Sequence, residues 1–275
     1  MFLQEIIPHP RLAGFIRVYK IIRFSFPAGM KVPPKAYTPR PEHCIQFFPA
    51  GGNSISYQGA SATITTRHAA IIGQHTVVNH RQVSSHFFSV QVIFKPGVLQ
   101  RWLGMPSTEL TNAFIDAEEI LGKEIATVNE QLYFAKDQPA LIAVLEDYLF
   151  SKLANIPACH HAVSGVAALM LHLEDKPLDW FVQQACLSHR QFDRRFYEST
   201  GVGPKEFMKL VRFDKAFRMK NRYPQKDWLS IALHCGYHDY PHLSKTYKEF
   251  TGYSPAAFFA IDNQAPERVL GEAET

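Results

Sequence analysis

The stretch LSHRQFDRRFYESTG, Leu187–Gly201, brings three arginines and three aromatic residues together over about four helical turns. Ser188 is a residue type that favours helix N-caps, because its hydroxyl accepts a hydrogen bond from a free backbone N–H group. Gly201 favours the left-handed conformation in which many helices end. These two residues therefore predict a helix that begins after Ser188 and stops at Gly201.

This helix is predicted to have two unlike faces. Phe192 and Phe196 lie four residues apart on one stripe, which we expect to face the protein core. On the outward stripe, guanidinium groups can bond to guanine edges through two donors and to phosphates through their charge. The outward set is Arg190, Asp193, Arg194 and Tyr197. With the short helix PLDWFVQQACL before it, the segment predicts a helix-turn-helix unit, whose second helix enters the DNA major groove.

The same arrangement recurs nearer the C-terminus. A short apolar helix, DWLSIALHC, is followed by Gly236 and by the segment YPHLSKTYKEFTG, which ends at Gly252. Its inward stripe holds Leu243, Tyr247 and Phe250. Its outward candidates are Tyr240, His242, Ser244, Lys245 and Lys248. Two recognition helices are therefore predicted in one chain.

A long helix is predicted between the two units. It begins at Pro204 and runs for about 19 residues, or roughly 28 Å at 1.5 Å per residue. One turn of B-DNA repeats at roughly 34 Å, so the two recognition helices suit successive major grooves on one face of the duplex. Where the groove spacing is imperfect, the DNA would have to bend, at a cost of about a few kcal/mol. From Arg190 to Lys226, eleven lysines or arginines stand against four acidic residues, which concentrates positive charge beside the predicted DNA.

The N-terminal half has the pattern of a β-rich domain. Segments such as FIRVYKIIRFSF and HFFSVQVIFKPG are rich in Ile, Val and Phe and predict strands of a small barrel or sandwich. Apolar spacing from Leu121 to Leu153 predicts two helices that close this half. The predicted fold class is an α+β domain, a small cupin-like barrel with flanking helices, followed by an all-α domain. We place a sensor or dimerisation domain at 1–156, a double helix-turn-helix domain at 157–262 and a tail at 263–275.

Composition narrows the class of protein. With 275 residues, 46% of them hydrophobic and 20% charged, the chain resembles ordinary globular proteins and is long enough for two domains. No segment has the pattern of a secretion signal, and none consists of about 18 uncharged apolar residues in a row. We therefore expect no membrane association. Four cysteines without a C-x-x-C pair indicate reduced thiols and predict a cytoplasmic location.

The pattern from Leu187 to Phe259 resembles the DNA-binding domain of AraC/XylS-type transcription regulators. The resemblance is most specific from Ile231 to Pro255, and it implies two helix-turn-helix units joined by a long helix, with promoter binding as the function. It implies base contacts through Arg190, Asp193 and Arg194 of the first recognition helix. For the second helix it implies contacts through Tyr240, Pro241, Ser244 and Lys245.

Two positions depart from the family pattern. Pro241 stands where a polar residue is usual, which makes phosphate contact an alternative role for the second recognition helix. Gly203 stands where a serine usually precedes Pro204. The N-terminal half, around VIFKPGVLQRWLGMPSTELTN, is similar to the sensor domains attached to some of these regulators.

Other candidate chemistry has a simpler explanation. His234, His238 and His242 are spaced four apart, as zinc-binding histidines on one helix face can be, but Gly236 places a turn among them. We therefore expect no metal and no cofactor. The N-terminal histidines are expected to be scattered rather than clustered on a metal: His43, His68, His75, His80 and His86. Four aromatics are expected to be packing residues, with a ligand cavity as the alternative: Phe47, Phe48, Phe87 and Phe88.

These patterns predict a sequence-specific transcription regulator without catalytic residues. The expected partner is double-stranded DNA, and the candidate further partners are a small-molecule effector, RNA polymerase and a second copy of the chain. One alternative is a DNA-repair or metal-dependent barrel enzyme that carries the same type of DNA-binding domain. A repair cysteine needs basic neighbours that lower its pKa, and only Cys159, next to His160, invites that test. A second alternative is an interaction module whose basic helices bind another protein.

Overall fold

The computed structural model describes residues 2–57, 63–154, 156, 162–173 and 176–271. Its N-terminal half holds two antiparallel sheets with helices, and its C-terminal half is helical, which confirms the predicted fold class. The predicted boundary at 156/157 adjoins residues 155 and 157–161, which lie outside the described residues, so it stays a prediction.

The barrel or sandwich predicted from the strand pattern takes the form of two open sheets. The larger sheet has the order β1-β2-β9-β4-β7-β10 and the smaller sheet β3-β8-β5-β6. The strands are β1 (Phe2–Ile6), β2 (Ile16–Ser25), β3 (Lys35–Tyr37), β4 (His43–Ala50), β5 (Asn53–Tyr57), β6 (Thr63–Thr66), β7 (Ala69–Ile72), β8 (Asn79–Val83), β9 (His86–Phe94) and β10 (Phe114–Asp116). In β9 every residue after His86 is buried, because both faces of the larger sheet are covered.

Helices cover one face of the larger sheet, and the smaller sheet covers the other. The helices of this half are α1 (Val98–Leu103), a 3-10 turn (Ser107–Leu110), α2 (Ala117–Leu121), α3 (Glu124–Phe134) and α4 (Gln138–Leu153). Phe47 and Phe88 pack with Leu145 in the core between this sheet and the helices. Phe48 and Phe87 pack with Ile55 in the core between the two sheets. All four phenylalanines are thus buried packing residues, as the sequence predicts.

The C-terminal half forms one helical core. Its helices are α5 (Ala162–Met170), α6 (Leu178–Gln184), α7 (His189–Thr200), α8 (Pro204–Arg222), α9 (Trp228–His234), α10 (Tyr240–Thr251), α11 (Pro255–Asp262) and α12 (Pro266–Val269). The prediction that Phe192, Phe196, Tyr247 and Phe250 are core residues is confirmed, since none is more than 2% exposed. Within the described residues, no helix has the length and hydropathy needed to cross a lipid bilayer.

The last described residues return to the N-terminal half. Helix α12 lies in the segment predicted as a tail, and Glu267 within it forms an ion pair with Lys35 of β3. Leu270 packs against the core between the two sheets. The chain therefore ends, as far as it is described, against the sheets rather than away from them.

Candidate nucleic-acid interface

Helices α6 and α7 form the first helix-turn-helix unit, and local residues fix both ends of α7. The Ser188 hydroxyl accepts the Gln191 backbone N–H at 3.4 Å, and the Gln191 side chain accepts the Ser188 N–H at 3.2 Å. This reciprocal capping satisfies donors that the first turn of a helix leaves free. Gly201 ends the helix with φ of 79°, so the predicted start and stop of the helix are confirmed.

Aromatic rings hold α7 to its domain. The rings of Phe192 and Phe196 lie 5.4 Å apart, and Phe196 packs edge-on against Phe207 of α8 at 5.4 Å. Both α7 rings are fully buried. Because these residues share one stripe of the helix, the opposite stripe must face outward.

The outward stripe of α7 carries unpaired charge. Arg190 and Arg194 are exposed, and neither has an ion pair or hydrogen bond with any described residue. Asp193 and Tyr197 are exposed on the same side, and Tyr197 keeps 51% of its surface accessible. The structure thus places these four side chains where an external partner can reach them.

Helices α9 and α10 form the second unit on a similar scaffold. The Asp239 carboxylate accepts the His242 backbone N–H at 2.8 Å, and Gly252 ends α10 with φ of 80°. Phe213 of α8 packs against Tyr247 at 4.8 Å and against Phe250 at 5.2 Å. Asp239 had no assigned role in the sequence, although Asp is a common N-cap residue.

The outward face of α10 is less open than that of α7. Pro241, Lys245 and Lys248 are exposed, whereas Tyr240, His242 and Ser244 are half-buried. The His242 ring lies 5.0 Å from Tyr237 and stacks on His238 at 5.9 Å. Burial first, and then the positive charge of Arg212, lower the pKa of His242, which favours the neutral form of its ring at pH 7. The two lysines are therefore the cations that α10 offers.

The turns of the two units also differ. Cys186, between α6 and α7, has φ of 52°, and Gly236, between α9 and α10, has φ of 75°. Left-handed backbone suits glycine and strains other residues. The first turn therefore places a cysteine where the second has the preferred glycine.

Side chains of the N-terminal half bind the C-terminal end of α7. The Ser107 hydroxyl donates to the Ser199 carbonyl at 2.8 Å, and the Thr111 hydroxyl donates to the Gly201 carbonyl at 2.7 Å. His43 Nε2 donates to the Thr200 carbonyl at 3.0 Å. Burial lowers the pKa of His43 to about 4, so the ring is neutral at pH 7 and its hydrogen bond carries no charge.

The C-terminal end of α10 has a similar support. The Val78 backbone N–H, in the loop before β8, donates to the Phe250 carbonyl at 3.0 Å. The last carbonyls of a helix lack partners within the helix, so these contacts satisfy groups that would otherwise need water. Both recognition helices thus end on the N-terminal half. Sequence spacing gave no indication of these contacts, which join residues far apart in the chain.

Helix α8 is tied to the larger sheet through buried charges. Glu42 lies 2.5 Å from Arg17, 2.9 Å from Lys20 and 3.5 Å from Arg218 of α8. Burial raises the pKa of Glu42, but the charges of Lys20, Arg17, Arg40 and Arg218 outweigh it and keep the pKa well below its usual range. The carboxylate is therefore ionised and joins the two halves.

The described residues give little support to catalytic or metal chemistry. No group of three His, Cys, Asp or Glu side chains among them is placed to hold a metal ion. Cys44 and Cys235 are buried, and burial, followed by the charge of Glu42, raises the pKa of Cys44 to about 12. This is opposite to the lowered pKa of a reactive thiol. Cys159 and His160 lie outside the described residues.

Two protein families match this chain, one in each half. A family described as a helix-turn-helix domain matches residues 181–261, which run from the last four residues of α6 through α7 and α10 into α11. A family described as a domain of unknown function, DUF6597, matches residues 4–116. The structure is similar to that of ToxT from Vibrio cholerae, with a TM-score of 0.50, 12% identity, and coverage of 88% of this chain and 97% of ToxT. That likeness shows a common fold.

Curated relatives match over part of their length. The chain is 30% identical to the HTH-type transcriptional regulator ArgR of Pseudomonas aeruginosa over 103 residues, 37% of this chain and 31% of that protein. It is 27% identical to the HTH-type transcriptional activator RhaR of Salmonella arizonae over 150 residues, 54% of this chain and 48% of that protein. The chain thus spans less than half of the length of these relatives.

Proposed function

Because this chain belongs to the AraC family of helix-turn-helix proteins, we propose that it binds double-stranded DNA and regulates transcription. The observation that carries the proposal is the repeated design of α7 and α10. Each is anchored by buried rings and presents exposed cations on its opposite face. The names of the relatives, transcriptional regulator and transcriptional activator, agree with it. Such a protein acts in the cytoplasm, and RNA polymerase is its expected protein partner.

We propose that α7 and α10 enter successive major grooves on one face of the duplex. Helix α8 has 19 residues, and at about 1.5 Å per residue it spans roughly 28 Å, close to the roughly 34 Å repeat of B-DNA. The N-terminal residues of a recognition helix reach the base edges. This orientation agrees with the N-terminal half holding the C-terminal ends of both helices.

The roles we assign to individual residues follow from exposure and charge. Arg190, Asp193 and Arg194 read bases from α7, and Tyr197 contacts the backbone beside them. Lys245 and Lys248 of α10 bind phosphates. The remaining residues of this surface on α10 flank the duplex: Tyr240, Pro241, His242 and Ser244.

The contacts at the helix ends suggest how the N-terminal half modulates binding. An effector or a second copy of the chain, bound to this half, would move Ser107, Thr111 or Val78 and with them the ends of α7 and α10. Such a ligand shifts the arrangement only through its different affinity for the two states. We propose this route for effector control or control by self-association.

A mobility shift on random duplex at low salt tests the proposed DNA binding. The full chain should bind, and the double variant R190A/R194A should bind much more weakly, because two unpaired guanidinium groups leave the surface. Arg67→Ala is the matched control, since Arg67 is an exposed arginine of the N-terminal half, and it should bind like the unmodified chain. Equal binding by all three proteins would refute the role of α7. An absence of binding at low salt would favour the interaction-module alternative.

Hydrogen exchange tests the proposed coupling. The double variant S107A/T111A should speed amide exchange in the last turn of α7 and leave the last turn of α10 unchanged, because α10 is held by Val78. Unchanged exchange in α7 would contradict the coupling route without touching the proposed DNA binding.

A further inference from the structure

A short C-terminal segment, residues 266–270, binds the helical half to the sheets, and we call it the latch. It consists of α12 and Leu270. Glu267 forms an ion pair with Lys35 of β3, and the two side chains are only 8% and 16% exposed. Leu270 packs against the core between the two sheets. Because both charged groups are largely removed from water, the loss of either partner would leave the other charge poorly solvated.

The latch also binds the helical half. Arg268 donates to the side chains of Asn221 on α8 and Asp262 on α11, the latter at 3.0 Å. Asp262 is itself buried. Glu267 and Arg268 are neighbours in the chain and bind opposite halves of the protein, so the latch cannot keep both contacts if the halves separate.

The strand that the latch contacts lies at the edge of the smaller sheet. This strand, β3, has three residues and comes first in the order β3-β8-β5-β6. Edge strands are commonly covered by a helix or a loop. Here α11 contacts β3, and Ala36 of β3 is buried in the core of the helical half. The position of β3 therefore depends on both halves.

Strand β3 is connected in turn to the second recognition helix. Tyr37 of β3 pairs with Asn79 of β8. Val78, the residue before β8, donates its backbone N–H to the Phe250 carbonyl in the last turn of α10 at 3.0 Å. A continuous series of contacts thus leads from the latch through β3 and β8 to the end of α10.

The end of α7 is held by a different part of the N-terminal half. Its carbonyls accept hydrogen bonds from Ser107 in the 3-10 turn, from Thr111 just after it, and from His43 of the larger sheet. None of these three residues belongs to the smaller sheet or to the latch. The two recognition helices therefore have separate supports.

We propose that the latch is a conformational switch that acts on α10 and not on α7. The closed latch keeps the last turn of α10 against Val78, and an open latch loosens that turn while Ser107 and Thr111 still hold α7. Lys248 lies in the last turn of α10, so opening the latch weakens the phosphate contact that we assign to this lysine. The consequence for DNA rests on the proposed function, whereas the opening of the latch does not.

Hydrogen exchange of the full chain tests the switch. Glu267→Lys places a further cation beside Lys35 and should open the latch. The Val78 amide and the last turn of α10 should then exchange at least about tenfold faster, and the last turn of α7 should be unchanged. Leu270→Ser should give the same pattern without a change in charge. The swap K35E/E267K restores an attractive pair and should return exchange close to that of the unmodified chain.

A mobility shift tests the consequence for DNA. Glu267→Lys should bind random duplex about threefold more weakly than Glu130→Lys, because the Lys248 contact is loosened rather than lost. Glu130 is an exposed acid of α3, so this matched control makes the same change in charge outside the latch. The base preference of the half-site beneath α7 should be the same in both variants.

Unchanged exchange of the Val78 amide in Glu267→Lys and in Leu270→Ser would overturn the proposal. Equal acceleration of the last turns of α7 and α10 would also overturn it, since the two supports would then not be separate. A chain that shows the expected exchange but binds no DNA loses only the proposed function. A chain that binds DNA without the expected exchange loses only the switch.

Discussion

The two helix-turn-helix units share a scaffold and differ in the chemistry that they expose. Both recognition helices have a capped start, two buried aromatic rings or more, and a left-handed glycine at the end. On α7 the outward face is open and carries two arginines without a partner among the described residues, whereas half of the corresponding residues of α10 are half-buried and its cations are lysines. Arginine can read a guanine through two donors, and lysine acts as a point charge. We therefore expect α7 to specify sequence and α10 mainly to hold the backbone.

The largest expected effect concerns the buried phenylalanines that anchor α7 and α10. It tests whether the two scaffolds contribute equally to the stability of the protein. Phe196→Ala and Phe250→Ala should each lower the free energy of unfolding by about 3–5 kcal/mol, because both rings are buried among other aromatics. Denaturant titration measures both values. Tyr197→Ala, which changes an exposed ring on α7, should stay within about 0.5 kcal/mol. If either phenylalanine variant lost no more free energy of unfolding than Tyr197→Ala, the two recognition helices would not share an equivalent buried scaffold.

The next effect separates the roles of the two outward faces. Arg194→Ala should cost about 1–3 kcal/mol of binding to a selected duplex and relax the preference at one base pair. Lys248→Ala should weaken binding evenly across sequences and reduce the slope of log affinity against log salt by about 1. Quantitative mobility shifts on specific and random duplexes give both results. Equal losses on the two duplexes for Arg194→Ala would remove its base-reading role.

The smallest effect concerns the caps of the helices that follow each recognition helix. Ser254 caps α11 by accepting the Ala257 N–H at 3.3 Å, whereas Gly203 precedes α8 without a side-chain cap. A side chain at position 203 meets open space, and its φ of −70° suits any residue. Gly203→Ser should therefore stabilise the protein by a few tenths of a kcal/mol, and Ser254→Gly should destabilise it by a similar amount. Thermal unfolding of both variants checks the sign, and a loss of stability in Gly203→Ser would contradict the capping argument.

Local signals made the helical half predictable. Rings four residues apart, Ser188 before α7 and the glycines after α7 and α10 act within a few residues of each other, so their pattern is readable in the sequence. The support of the helix ends is different in kind. Ser107 bonds to Ser199 across 92 residues of chain, and no local pattern reports such a pairing.

The interior of the sheets was only partly predictable for the same reason. Phe48 and Phe87 are predicted as packing residues, and both are buried, but Phe87 also borders a small cavity between the two sheets. Arg81 looks like an ordinary polar residue of a strand until the register places Lys35 opposite it and the larger sheet covers it. Glu267 reaches the same place from the end of the chain. Contacts assembled from three distant segments leave no motif in the sequence.

Selection of bound sequences from a random duplex pool tests the central claim most directly. The full chain should enrich a sharply defined half-site beneath α7 and at most a weak preference about one helical turn away beneath α10, since α8 joins the two units. The half-site read by α7 should be the more sharply defined, and the Arg194→Ala variant should blur one of its positions. Enrichment of no sequence at all, or of a half-site that Arg194→Ala leaves equally sharp, would contradict a chain whose first recognition helix reads bases in the major groove.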